Sequence, residues 1–61
     1  MFKIEYDVFI GGHLFTFTYD RIFLTLYGAS RMAQHIRNTK HADVYIIGAI
    51  TGKTIDYYWA D

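Results

Sequence analysis

The strongest constraint in this chain is an alternation. Phe2, Ile4, Tyr6, Val8 and Ile10 fall on one parity, while Lys3, Glu5 and Asp7 fall on the other. A period of two over nine residues describes a strand with one apolar face. Gly11-Gly12 follows, a pair that accepts the positive φ of a two-residue turn. Phe15, Phe17 and Tyr19 then alternate with Thr16 and Thr18. The first nineteen residues therefore predict a β-hairpin.

The period changes after Asp20-Arg21. Ile22-Phe23-Leu24 is compatible either with more strand or with a lead into a helix. Thr25 suits an N-cap, and Leu26, Ala29, Met32, Ala33 and Ile36 recur at spacings of three and four. That is one apolar helical stripe, predicting a helix over 26–39. Gly28 weakens its first turn by about 1 kcal/mol relative to Ala. Arg37 and Lys40 complement its dipole at the far end. Arg31, His35 and Asn38 lie on its polar side, a secondary, mildly basic binding face.

Val44 to Ile50 is nearly all apolar and rich in β-branched residues, the pattern of a buried strand. Thr51-Gly52 supplies a turn, with Gly52 at positive φ. Ile55, Tyr57 and Trp59 alternate with Thr54, Asp56 and Tyr58 as a last strand. The order is β-β-α-β-β, and the economical packing is a two-layer α+β domain spanning 1–61, one helix on a four-stranded, mainly antiparallel sheet. Two strand orders remain open. Order 2-1-3-4 makes the apolar third strand central. Order 2-1-4-3 makes the first and last strands central and parallel, as in the β-grasp fold. On either order the helix is expected to cover Phe2, Ile4, Tyr6, Val8, Ile10, Phe15, Phe17, Tyr19, Val44, Ile46, Ile50, Ile55, Tyr57 and Trp59.

A chain of 61 residues buries only roughly 60% of the surface its unfolded form exposes. With no cysteine, neither disulfides nor thiolate zinc can staple it. Five Phe, six Tyr and one Trp point to aromatics and self-association as the substitutes. On the parity above, Phe9, Tyr45, Ile47 and Tyr58 fall on the sheet face opposite the helix, where no second layer covers them. Tyr combines an apolar ring with a hydrogen-bonding tip and is favoured at interfaces. These four residues are the candidate site for a protein partner or a homodimer. The plainer reading is that the rings stiffen a bare sheet by packing across strands.

Six basic and six acidic residues balance to zero, leaving no net field to draw in nucleic acid or an anionic membrane. Single-stranded nucleic acid stacked on the same rings is the alternative, and Glu5, Asp7 and Asp56 among them argue against it. A small structural or assembly component is a third reading. No apolar run reaches the ~20 residues of a membrane span, and the N-terminus lacks a signal-peptide layout, so the chain is read as cytoplasmic. His13, His35 and His41 show no metal-ligand spacing, and no nucleophile has an evident activating neighbour. Neither catalysis, metal nor cofactor is expected.

The segment Ala29-Ser30-Arg31-Met32-Ala33-Gln34-His35-Ile36, followed by Val44-Tyr45-Ile46-Ile47-Gly48-Ala49-Ile50-Thr51-Gly52-Lys53, resembles a pattern of small bacteriophage and mobile-element proteins. Anti-CRISPR and other anti-defence inhibitors are among them. The resemblance covers the C-terminal half and rests on a short helix with paired small residues and a hairpin turning on Thr-Gly. It implies an inhibitor or modulator of a host protein, acting in the host cytoplasm. Many such inhibitors are acidic DNA mimics. This neutral chain departs from them, which favours occlusion of a protein surface.

Overall fold

A computed structural model describes residues 1–60. Five elements follow in the expected sequence: β1 (Phe2–Ile10), β2 (His13–Thr18), α1 (Leu26–Lys40), β3 (Asp43–Gly48) and β4 (Thr54–Tyr58). The sheet order is β2-β1-β3-β4, with every neighbouring pair antiparallel. The β-grasp order is therefore excluded. β3 takes a central place because it is apolar on both faces, with Val44 and Ile46 fully buried on one and Ile47 nearly so on the other. A strand buried on both sides belongs inside a sheet.

Gly11 and Gly12 turn the first hairpin at φ 60° and 82°, with Ile10 facing His13. The ambiguous Ile22-Phe23-Leu24 is neither strand nor helix. Phe23 forms an isolated bridge to Phe2, each N–H donating to the other's carbonyl at 2.8 and 2.7 Å. This seats the Phe23 ring in the core while its two neighbours stay exposed. Thr25 caps the helix, its Oγ1 accepting from the Gly28 N–H at 3.1 Å. Gly28 has a local reason: a Cβ there would lie 3.3 Å from that hydroxyl. The helix ends one residue beyond expectation, where His41 turns left-handed at φ 51° and donates its N–H to the Arg37 carbonyl.

Ala29, Ala33 and Ile36 bury the helix against Ile4, Val44, Ile46 and Phe23. Two alanines let the helix lie close, but they also make the contact narrow. It rests on β3 and β1 and touches β4 lightly, and it does not reach β2. Its C-terminal end stands over Tyr6, with the Lys40 Nζ 5.9 Å from that ring.

The expected core is accordingly too large in three places. Ile10, Phe15 and Phe17 keep helix-side parity but lie beyond the reach of the helix, Phe15 and Phe17 on β2, which it does not touch, and remain exposed. Ile50 sits in the β3–β4 turn at 83% exposure. In β4 the expected parity fails. Ile46 faces Asp56 while Ile47 faces Thr54, so Ile55 is an extra residue at a β-bulge. One unpaired residue exchanges the faces of everything beyond it. Tyr58 thus faces Val44 on the helix side, and Tyr57 faces Tyr45 on the outer side. Ile55, Tyr57 and Trp59 are all about half exposed.

Candidate functional site

The face opposite the helix is built from alternate residues of each strand. β1 contributes Lys3, Glu5, Asp7 and Phe9, and β3 contributes Asp43, Tyr45 and Ile47. Glu5 lies opposite Tyr45, Lys3 opposite Ile47, and Asp7 opposite Asp43. On β4, past the bulge, Tyr57 is the outer residue opposite Tyr45. Trp59 completes the group. Its ring meets Tyr45 edge-on at 5.9 Å and Tyr57 at 4.8 Å. Pairs at these separations and angles are worth about 0.5–1.5 kcal/mol beyond area burial. Trp59 and Tyr57 are nevertheless 55% and 52% exposed, so Trp59, in contact with both tyrosines, and Tyr57 present about half their surface to solvent beside the partly buried Tyr45.

One side of this cluster is acidic. Asp7 and Asp43 face each other across β1 and β3, an arrangement of like charges that is unfavourable by itself. Local donors hold both. The Thr16 hydroxyl donates to Asp7 Oδ1 at 2.7 Å, and the Ala60 N–H donates to Asp43 Oδ1 at 2.8 Å. The second bond also ties the chain end carrying Trp59 to β3. Tyr45 has its pKa raised above 10.0, first by desolvation, then by the charges of Asp7 and Asp43, then by its hydrogen-bonding interaction with Asp7.

Of the four residues expected here, the fold brings together Tyr45 and Ile47. Phe9 shares their face but stands at the hairpin tip opposite Leu14, 73% exposed. Four residues of extended chain, about 13 Å, separate it from Glu5 beside Tyr45. Tyr58 belongs to the other face, where its hydroxyl donates to Ser30 Oγ at 3.0 Å. Trp59 and Tyr57 take its place. The available signal is the run Tyr57-Tyr58-Trp59, since three consecutive aromatics on a strand cannot all point inward.

Arg31 and His35 do converge on the helix side, lining a shallow open depression with Arg21, Phe23, Gly28 and Met32. The Arg31 guanidinium lies over the Tyr27 ring and donates to its hydroxyl, and Arg21 lies over Phe23. Asn38 is not part of this depression; its side-chain oxygen accepts from Arg37. Among the described residues, no three His, Asp or Glu side chains are grouped to hold a metal ion, and no helix is long and apolar enough to cross a membrane.

Comparison with family models, curated proteins and solved structures finds no match for this chain.

Proposed function

We propose that this chain is a non-enzymatic protein-binding module whose contact surface is the outer sheet face centred on Tyr45, Tyr57 and Trp59. The observation that carries the reading is the half-exposed Trp59 packed against Tyr57 and Tyr45, beside Asp7 and Asp43. Half-exposed Trp and Tyr supply large apolar area with little side-chain entropy to lose, which is how interface anchors work. The two carboxylates add a charge preference. A partner segment carrying Arg or Lys gains both a cation–π contact and a carboxylate. The same carboxylates oppose the phosphates of a nucleic acid. The phage-type resemblance gives the partner class, a host protein such as a defence component, which the module inhibits or modulates by covering a basic surface.

Trp59 is the sole tryptophan and reports on its own site. Titration with a synthetic Arg-containing peptide is expected to shift its emission. The effect should be absent with the acidic counterpart of that peptide and lost in Tyr45→Ala. A host protein captured from lysate should be released by Trp59→Ala, while Phe9→Ala retains it. Equal response to basic and acidic peptides, or binding of a single-stranded oligonucleotide at low salt, overturns the reading.

A further inference from the structure

We infer that β2 is a self-pairing edge, and that two copies of this chain join antiparallel through it into one continuous eight-stranded sheet. This surface is distinct from the outer aromatic face. The Tyr19 N–H donates to the Ile4 carbonyl at 2.8 Å. With the β1–β2 register, the alternation of antiparallel hydrogen bonding turns the backbone groups of Phe15 and Phe17 toward β1 as well. It turns those of Leu14, Thr16 and Thr18 outward. These three residues present donors and acceptors along a free edge, and all six β2 residues are exposed.

The two edges of the sheet are treated differently. β4 carries the bulge at Ile55, the charge of Asp56, and Lys53 just before its start. Bulges and charges are the usual means of blocking edge pairing. β2 has neither Pro nor a Lys, Arg, Asp or Glu, it keeps regular register with β1, and the helix does not reach it. The free edge therefore points to β2 against β2, rather than to an open-ended chain of β2 against β4.

A two-fold axis at Thr16 satisfies the edge. Thr16 meets its own copy, Leu14 meets Thr18 of the second copy, and Phe15 meets Phe17. On the helix side this gathers four phenylalanine rings over the part of the sheet that α1 leaves bare. Phe15 and Phe17 are 46% and 41% exposed in one chain. Every side chain brought face to face is uncharged at neutral pH, and the chain has no net charge, so no like-charge repulsion opposes the closure. A Phe side chain offers about 150–250 Å², so the exposed halves of two rings supply on the order of 150–200 Å² per chain. With Leu14 and the backbone edge this stays below the ~800 Å² per partner of a standard interface. The second copy is therefore held reversibly.

Light scattering across a concentration series is expected to move the mass from 7.2 kDa to twice that value. Thr16→Lys places two ammonium groups together on the axis, while in the monomer Asp7, already opposite residue 16, accepts the new charge. It should raise the dimer dissociation constant at least tenfold. Trp59→Ala should leave dimerisation unchanged. Amide exchange in the wild-type protein is an independent reading. Protection of Leu14, Thr16 and Thr18 should rise with concentration, and this decides the matter even if the lysine variant fails to fold. A monomer at every concentration, a dimer indifferent to Thr16→Lys, open-ended polymers, or edge amides that exchange equally fast when concentrated would each overturn the inference.

Discussion

The Tyr58 hydroxyl donates a hydrogen bond to Ser30 Oγ at 3.0 Å, joining β4 to α1. α1 meets β4 over a small area, so this bond and the ring that carries it account for much of the attachment. A net hydrogen bond is worth about 0.5–1.5 kcal/mol. Tyr58→Phe should lower the midpoint of thermal unfolding by about 4–8 °C per kcal/mol in a domain of this size. Tyr57→Phe, on the solvent side of the same strand, should leave it nearly unchanged. Equal effects from the two substitutions would contradict the register described for β4.

His41 holds the left-handed conformation that closes the helix, where a side chain normally adds about 1–2 kcal/mol of strain. Glycine is at ease there. His41→Gly is expected to stabilise the domain by about 0.5–1 kcal/mol, measured as a higher urea midpoint with the same denaturant slope.

Tyr45 titrates above its ordinary value of 10.0 because of desolvation, Asp7 and Asp43. The folded state then holds this proton more tightly than the unfolded chain does. The associated stability is complete below pH 10 and disappears as the pH rises through the folded value. Tyr45→Phe should flatten the alkaline fall in stability. Asp7→Asn should bring the tyrosinate absorbance transition of Tyr45 back toward 10.0. An unchanged transition in that variant would remove Asp7 from the explanation.

Gly48 sits where a Cβ would lie 2.7 Å from Thr51 Oγ1, and that oxygen accepts from the Lys53 N–H. Gly48→Ala is expected to destabilise by about 1–2 kcal/mol, within the ordinary range for a clash that displaces a local hydrogen bond. Adding Thr51→Ala should recover part of the loss. Strict additivity of the two changes would show that the clash is not the cause.

The fold was legible wherever local chemistry decides it. The alternation of Phe2 to Ile10, the Gly11-Gly12 turn, the Thr25 cap and the Ala29/Ala33/Ile36 stripe each act within a few residues. Strand order stays open between two arrangements in the sequence, because β3 qualifies for the centre only once both of its faces are seen to be covered. Parity places Phe9, Tyr45 and Ile47 on the outer face, where the structure has them, and misplaces Tyr58. Parity counted from Thr54 holds until Ile55, and nothing in that residue announces that it will go unpaired. The excess of expected core has another source. Parity tells which face a side chain takes, but not how far along that face a fifteen-residue helix reaches.

That short reach has a consequence for how the molecule opens. Among the strands and the helix, β2 touches β1 alone, whereas β1, β3 and the helix share Ile4, Val44, Ile46 and Ile36. Few buried contacts and an exposed edge are the marks of a segment that opens first, so β2 is expected to open ahead of the other three strands and the helix. Whatever seats itself on β2 selects the closed form, so occupancy there adds to its stability in proportion to ligand concentration.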